Sequence, residues 1–361
     1  MQADDLTITC GDVAITGWTD IRVTRGIERL PSDFSVGMTE LYPDELSRLV
    51  IEPGVPCEVR LGDEPVVTGY IDHYVPSITA DSHSIRISGR SKCADLIDCA
   101  AEWPGGQISN STVLGIAQRL ASVYGKRVNG VSEGIAVSTD QDDLPILPQV
   151  NIMLGESAFE IIDRLARFSA VLAYDLADGS LFLTRAGEKR AASGFTEGVN
   201  VQRAYIDFAA DLIYSDYDVY IQSVDTYTDL GVQGNQIHKV KDLNCKRYRR
   251  LVIISEGGGM GNDVSIARGQ WESVRRNGRS RIVRVTADSW RDSSGALWEP
   301  NTLVPVSLPR LKFGSDSMLI TEVTFLKNDY SGSTAELTLM DPSAFLPQPI
   351  NLMRMYGEFS Q

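Results

Sequence analysis

Two stretches of this sequence, which begin 247 residues apart, follow the same pattern of short alternating strands. Residues 52–90 read EPGVPCEVRLGDEPVVTGYIDHYVPSITADSHSIRISGR, and residues 299–341 read EPNTLVPVSLPRLKFGSDSMLITEVTFLKNDYSGSTAELTLMD. Both open with Glu-Pro, and both contain three runs of alternating apolar residues bounded by Pro, Gly, Asp and Ser, which is typical of half-buried antiparallel strands. An internal repeat constrains the fold more than any single motif, because each copy is expected to form the same unit.

The distances between matched residues support the repeat. Val306 follows Val59 by 247 residues, whereas Leu337 follows Ile85 by 252 residues. A hairpin loop five residues longer in the second copy explains the change. Identity between the copies is low, and chance similarity between two meanders is the alternative. We predict two similar small antiparallel β-barrels in one chain.

Strand patterns also precede both copies, at residues 21–36 and 201–221, and in the second case Tyr217–Ile221 is interpreted as the returning strand. The predicted fold class is α+β, mainly β, with two tube-like barrel domains, an α/β domain and an inserted domain. The predicted limits are 1–90 for the first barrel, 91–190 for the α/β domain, 191–225 with 281–345 for the second barrel, 226–280 for the insertion and 346–361 for an extended C-terminal tail.

Helical spacing distinguishes the middle of the chain from the strands around it. Residues 91–101, with Ser91 as N-cap, 112–124 and 157–169 carry apolar residues on one face, and Asp178-Gly179 favours a tight hairpin. The insertion contains a basic strand, a glycine-rich loop at 257–261 and a helix over about 264–276. We also expect Trp290 and Trp298 to be buried near the start of the hairpin in the second barrel.

Composition limits the classes of protein that the chain can represent. The length of 361 residues predicts two to four domains, and the net charge of −14 argues against a chain that wraps nucleic acid. No apolar run approaches the ~18 residues of a membrane span, and the N-terminus lacks a signal-peptide pattern, so we expect no membrane insertion and no export by a signal peptide. The five cysteines are widely spaced and are interpreted as reduced.

Motifs for catalysis, metal binding or cofactor binding are not met. His73, His83 and His238 share no ligand spacing, and the glycines at 257–261 lack the Lys-Ser/Thr of a phosphate loop. With 48 Asp and Glu residues, neighbouring carboxylates are expected by chance. We therefore predict no catalytic residue, no metal site and no cofactor.

One charged feature is a candidate binding surface. Basic residues cluster in the insertion and directly after it, and we select as candidate subunit-interface residues Arg249, Arg250, Arg275, Arg276 and Arg279. Arginine suits bidentate contacts with the carboxylates of a neighbouring subunit. The alternatives are a solvated face and contact with nucleic acid.

Three segments of the sequence resemble the baseplate hub proteins of contractile phage tails, of the Mu-like and late control protein D type. The segments are PGVPCEVRLGDEPVVTGYIDHYVPS with IRISGRSKCADLID, then GESAFEIIDRLARFSAVLAYDLADGSLFLTRAG, then IARGQWESVRRNGRSRIVRVTADSWRDSSGALWEPNTLVPVSLPRL with AELTLMDPSAF. They occur in the order of the family and cover nearly the whole chain. The chain is also similar to the N-terminal part of type VI secretion spikes.

This resemblance implies a non-enzymatic homotrimer with pseudo-sixfold symmetry in the tail baseplate of the virion, assembled in the host cytoplasm. It would join the tail tube protein to the central spike protein, contact other baseplate proteins and leave a channel through which DNA passes in transit. The acidic net charge is compatible with a lumen that repels this DNA. No needle or lysozyme-like segment is present, so we expect the spike to be another polypeptide. The alternatives are a tail-associated cell-wall or glycan hydrolase and a nucleic-acid-binding module.

Overall fold

The structure, a computed structural model, describes residues 5–39, 51–80, 82–125, 127–128, 131–187, 189–222, 235–255 and 262–346. Strands predominate over helices, as the predicted α+β, mainly β class requires. The glycine-rich loop at 257–261 and the predicted tail beyond residue 346 lie outside the described residues. Within the described residues, no helix combines the length and the apolar character needed to cross a membrane.

The N-terminal module consists of antiparallel strands that follow the alternating pattern of the sequence. They are β1 (Leu6–Cys10), β2 (Val13–Ile15), β3 (Asp20–Gly26), β4 (Asp33–Thr39), β5 (Pro56–Leu61), β6 (Glu64–Ile78) and β7 (His83–Ser91). On β5, Cys57, Val59 and Leu61 are buried and the residues between them are not. This alternation places one face of the module on the core and the other on a polar surface.

The middle domain follows, with a hydrophobic core of its own. Its elements are α1 (Ala94–Asp98), β8 (Gln107–Thr112), α2 (Val113–Ala121), β9 (Arg127–Val128), β10 (Val131–Ser132), β11 (Val137–Thr139), β12 (Ile146–Asn151), α3 (Ala158–Phe168), β13 (Leu172–Asp175) and β14 (Leu181–Thr184). Ser157 and Glu160 form a capping box that starts α3. The predicted N-cap of the first helix is wrong, because Ser91 ends β7 and Cys93 occupies the cap position.

The middle domain is attached to the N-terminal module by a buried carboxylate. Asp175, at the end of β13, accepts hydrogen bonds from the backbone N–H of Ser32 at 3.0 Å and from its hydroxyl at 2.9 Å. Asp175 is 2% exposed, so these bonds replace the water that the carboxylate loses. The predicted hairpin at Asp178-Gly179 is confirmed, since β13 pairs with β14 around it.

The C-terminal part contains the second module and the insertion. Its elements are β15 (Lys189–Arg190), β16 (Phe195–Thr196), β17 (Val201–Phe208), β18 (Asp216–Gln222), β19 (Asn235–Lys241), β20 (Arg250–Ser255), α4 (Asn262–Arg279), β21 (Arg281–Ala287), β22 (Thr302–Leu308), β23 (Phe313–Asn328) and β24 (Gly332–Met340), with a final 3-10 turn at Pro342–Phe345. The insertion is a separate sheet, β19-β18-β20, that lies against α4. A Cβ at Gly269 on α4 would lie 2.8 Å from the side chain of Val240, so the helix approaches this sheet closely.

One strand assignment from the sequence is wrong. Tyr217–Ile221 does not return to the second module, because β18 pairs with β19 and β20 in the inserted sheet. The strand that pairs with β17 is β21, which follows the insertion. Asp216–Gln222 therefore belongs to the sheet of the insertion, although the sequence pattern assigned it to the second barrel.

The two modules have the same strand connectivity. In the first module, neighbouring strands follow the order β3, β4, β7, β6 and β5. In the second module, the corresponding order is β17, β21, β24, β23 and β22. Both long hairpins carry a β-bulge, after Ile71 in β6 and after Ile320 in β23. Residues that pair across neighbouring strands form rows, and each row of the first module has a counterpart in the second. One such row is Ile71–Gly89–Phe34–Val23 in the first module, and its counterpart is Ile320–Leu339–Val283–Ile206 in the second.

This correspondence corrects the spacing inferred from the sequence. Val59 lies on β5 and Val306 lies on β22, and these two strands occupy corresponding places in the modules. The pairing therefore agrees with the 247-residue offset between Val59 and Val306. Alignment of the bulges matches Leu337 with Ile87, two residues later than the expected Ile85. A bulge adds one unpaired residue to a strand and leaves little trace in an alternating pattern.

Among the described strands, the two closed barrels that the sequence predicted are not found. All their described strands belong to one open fourteen-stranded sheet, in which β23 of the second module pairs with β3 of the first. Trp290 and Trp298 are buried against this sheet, as predicted, at 0% and 2% exposure. The indole N–H of Trp290 donates to the carbonyls of Leu326 and Thr334, both at 2.9 Å, close to the turn of the β23–β24 hairpin.

Candidate subunit interface

The contact between the two modules shows how this chain joins one module to another. The distal half of β23, beyond its bulge, pairs antiparallel with β3, and Phe325 lies opposite Val23. Both side chains are fully buried. On the other face of the sheet the hydroxyls of Thr24 and Thr324 are 3.2 Å apart. The junction therefore combines backbone pairing with an apolar core face and a polar opposite face.

Ion pairs flank this junction. Arg29 lies 3.6 Å from Glu322, and Arg291 pairs with Glu64 and donates to the carbonyl of Leu61 at 3.2 Å. These contacts join residues of the first module to residues of the second. Each pair has at least one partly exposed member, and ion pairs in contact with water contribute little stability individually, so we expect the buried strand pairing to stabilise the junction more than they do.

Apart from the edges of the short strands β2, β15 and β16, two strand edges of the modules have no described partner strand. The first is β17, which ends the path of the sheet, and the second is the distal half of β6, residues 72–78, where β5 no longer pairs. Large apolar side chains on both edges are exposed, Phe208 by 66% and Ile78 by 81%. Exposed apolar strand edges promote pairing with another chain.

The candidate arginines of the basic strand are held inside the chain. Arg249 donates to the carbonyls of Ile213 at 2.8 Å and Asp211 at 2.6 Å, so it fastens the loop that follows β17. Arg250 donates to the carboxylate of Asp218 at 2.5 Å, and this hydrogen bond raises the pKa of the guanidinium. Both side chains have intrachain partners that the sequence did not indicate.

The arginines on α4 differ from one another. Arg276 donates to Glu272 one turn earlier at 2.6 Å, and Arg279 pairs with Glu28 in the loop between β3 and β4. Arg275 has no hydrogen bond or ion pair with any described residue, and its guanidinium lies 5.4 Å from the ring centre of Trp271. The structure therefore leaves Arg275 as the candidate whose charge is unpaired within the described part of the chain.

Arg275 lines a cavity of about 400 Å³ between α3, α4 and the turn at Pro342–Phe345. Arg167, Arg185 and Arg279 also line it, together with Asp163 and Glu28. Partial burial, followed by the charge of Arg279, lowers the pKa of Arg275. An acidic group that entered this cavity would offset both effects. Whether a neighbouring subunit supplies such a group stays a prediction.

The polar face of the sheet carries arginines whose side chains have polar partners. Arg22 lies 2.5 Å from Asp33, Arg90 2.6 Å from Asp72, and in the second module Arg284 donates to the hydroxyl of Tyr205 at 2.6 Å. This face lies opposite the core row through both modules. Among the described residues, no group of His, Cys, Asp and Glu side chains is arranged to bind a metal ion.

The open strand edges are a candidate interface feature that sequence reasoning missed. The apolar residues Val75 and Ile78 extend β6 beyond the last residue that pairs with β5, and Tyr205 and Phe208 lie on β17. The strand patterns that contain these residues were visible in the sequence. Their lack of a partner was not, because an alternating pattern does not show which neighbours a strand will have.

Comparison with known families assigns most of the chain. Residues 5–91 match the model for the N-terminal domain of Mu phage baseplate assembly protein GpP-like proteins, and residues 93–185 match that for the second domain of baseplate hub protein gp44-like proteins. Residues 262–348 match the model for the fourth domain of Mu phage baseplate assembly protein GpP. The three matches follow the order of the modules along the chain.

Individual relatives agree with the family models. The chain is 31% identical over 358 residues to the baseplate hub protein gp44 of Escherichia phage Mu, a match that covers 96% of this chain and 90% of gp44. The crystal structure of the prophage MuSo2 43 kDa tail protein from Shewanella oneidensis is 31% identical, with a TM-score of 0.81 and coverage of 96% of this chain and all of that chain.

A more distant structure shares the fold alone. The E. coli c3393 protein, a type VI secretion system component, is 12% identical, with a TM-score of 0.55 and coverage of 96% of this chain and 79% of that chain. The expected similarity to type VI secretion proteins is therefore present at the level of the fold. The family matches and the relative from phage Mu show that the chain belongs to the baseplate hub family of Mu-like phage tails.

Proposed function

We propose that this baseplate hub protein assembles as a homotrimer whose six modules form a ring with pseudo-sixfold symmetry. The observation that carries the proposal is the shared connectivity of the two modules, down to the bulge in each long hairpin. Three chains with two such modules each place six similar units around one axis, about 60° apart. The ring is then threefold in sequence and close to sixfold in shape.

The ring joins two structures of different symmetry. Because a tail tube is built from sixfold rings and a central spike is threefold, a pseudo-sixfold trimer offers a matching surface to each. The proposed partners are the tail tube protein, the central spike protein and other baseplate proteins. The middle domain and the insertion break the sixfold symmetry, since each occurs once per chain, and they are suited to threefold contacts.

The polar face of the sheet is the surface proposed to line a channel for DNA. The opposite face is committed to the shared core, which includes Val23, Phe34 and Phe325. On the polar face arginines are paired with carboxylates, as in Arg22 with Asp33. This pairing favours a channel of mixed charge instead of the acidic lining that the net charge suggested. Paired charges would give passing DNA no uniform surface to bind.

The proposed role is structural and not catalytic. It is supported by the relative from phage Mu, whose name describes a hub protein of the baseplate. A zymogram on peptidoglycan tests this part of the proposal: no clearing is expected, and clearing that survives repurification would contradict it.

Light scattering coupled to size exclusion tests the ring itself. We expect a trimer at micromolar concentration and a stable complex with the hexameric tube protein. A chain that stays monomeric at every concentration measured would contradict the proposed assembly.

A further inference from the structure

The pairing inside one chain indicates how two chains would pair. At the intrachain junction, the free side of β3 pairs with β23 beyond its bulge, and Val23 lies opposite Phe325. In the second module, the strand that corresponds to β3 is β17, and Ile206 occupies the position of Val23. In the first module, the strand that corresponds to β23 is β6, where alignment of the bulges gives Pro76 the position of Phe325.

These two corresponding edges are the long ones that are left without a described partner strand. In a ring of six modules, three junctions lie within chains and three lie between chains. If all six are alike, every interchain junction must join β17 of one copy to the distal half of β6 of the next copy. The exposed edges are therefore what the connectivity requires of an isolated chain.

We infer that β17 pairs antiparallel with residues 73–78 of β6 from a neighbouring copy of this chain, with Ile206 opposite Pro76. The same register places Phe208 opposite Tyr74 and Ala204 opposite Ile78. This inference rests on the proposed trimer and adds to it the strands and the register of the interface.

The side chains on these edges fit such a contact. On the core face, all six facing residues are apolar, and they are Tyr74, Pro76, Ile78, Ala204, Ile206 and Phe208. Tyr74, Ala204 and Ile206 already contact the edge of the core, while Phe208 and Ile78 are largely in water. Pairing would remove both from solvent, as the intrachain junction does for Val23 and Phe325.

Backbone groups also fit, with one donor missing. At the intrachain junction the N–H of Ile27 donates to the carbonyl of Thr321 at 2.9 Å, which places Val23 and Phe325 in a hydrogen-bonded pair. Pro76, in the corresponding position, accepts from Ile206 but donates nothing. Proline on an open edge can also prevent pairing. The exposed Val75 and Ile78 beside it favour a paired edge, because an edge designed to stay in water would carry charges there.

A cysteine pair tests the register. The inferred register places Val75 opposite Asp207 in a non-hydrogen-bonded pair, where Cα atoms lie about 4.5 Å apart and a disulfide can form. The variant Val75→Cys/Asp207→Cys, on a Cys99→Ser background that removes the exposed native thiol, is oxidised and run on a denaturing gel without reductant. We expect covalent dimers and trimers that disappear on reduction.

The chain supplies matched controls. Thr24→Cys/Thr324→Cys occupies the corresponding intrachain pair and should form a disulfide within a monomer band. His73→Cys/Asp207→Cys is two residues out of register on the same face and should cross-link at least tenfold more slowly, because diagonal neighbours lie ~7–8 Å apart. Each single-cysteine variant should give no trimer band.

Light scattering on the same samples separates the two proposals. A trimer whose Val75/Asp207 pair stays reduced while Thr24/Thr324 oxidises would overturn the register and leave the ring intact. Equal or faster cross-linking of the His73/Asp207 pair would overturn it as well. A monomer would overturn both the ring and the register.

As an independent measurement, Phe208→Asp should dissociate the trimer, whereas Leu243→Asp, at an exposed position of the insertion, should not. An unaffected Phe208→Asp trimer would contradict the inference.

Discussion

Truncation of Trp290 should destabilise the second module and leave the middle domain unchanged. The indole is fully buried, its ring centre lies 6.2 Å from that of Phe325, and its N–H donates to two carbonyls. Trp290→Ala leaves a large cavity and removes the donor, so we expect a loss of about 3–5 kcal/mol in the free energy of opening. Trp290→Phe keeps most of the volume and loses the hydrogen bonds, which should cost about 1–3 kcal/mol.

Native-state hydrogen exchange read by mass spectrometry is the suitable assay, because a chain with several cores need not unfold in one step. The opening free energy of amides in β23 and β24 should fall by the stated amounts. Amides in α2 and α3, which belong to a separate hydrophobic core, should keep theirs. Tyr330→Ala, at a fully exposed position in the tip of the same hairpin, is the control and should change opening by less than about 0.5 kcal/mol.

Two results would refute this reasoning. If Trp290→Ala changed the opening of β23 and β24 by less than about 1 kcal/mol, the indole would not fill a core. If the amides of α2 and α3 weakened equally, the two cores would open as one unit and the separation of middle domain and modules would be wrong.

Three further predictions follow from other positions. Gly69→Ala should cost about 3 kcal/mol or more in the free energy of unfolding, because its Cβ would lie 1.9 Å from the carbonyl of Arg90, whereas Gly314→Ala has open space and should be neutral in the same denaturation series. At pH 8, alkylation read by mass spectrometry should label the exposed Cys99 first. Burial raises the pKa of the thiols of Cys57 and Cys93, so both should stay unlabelled in the folded protein, and labelling of either would contradict the structure. Arg275→Glu should weaken the trimer, as measured by light scattering, if a carboxylate of a neighbouring copy enters the cavity beside Arg275. The control Arg249→Gln should leave assembly unchanged. An unaffected Arg275→Glu trimer would assign Arg275 to a solvated face.

Local patterns predicted the elements of this fold better than their partners. The alternation of β22 and of β5, the helix over residues 157–169 and the burial of Trp290 were all predicted from the sequence, because each depends on neighbouring residues. The pairing of β17 with β21 was not, since about seventy residues separate them and Tyr217–Ile221 offers an equally strand-like alternative.

The candidate site was predicted less well for the same physical reason. A run of basic residues indicates charge but not the carboxylates and carbonyls that satisfy it, and Arg249, Arg250, Arg276 and Arg279 all have partners within the chain. The open edges of β17 and β6 became recognisable only when the strands beside them were known. The bulges, which set the register of one module on the other, leave little trace in the sequence.

The most direct test of the pseudo-sixfold ring is a cryo-electron microscopy map of the assembled protein viewed along its symmetry axis. We expect three copies around the axis, with the two modules of each chain superposed by a rotation of about 60° and an unbroken sheet across every junction. Three copies whose modules do not superpose by such a rotation, or an inner ring with gaps between subunits, would contradict it.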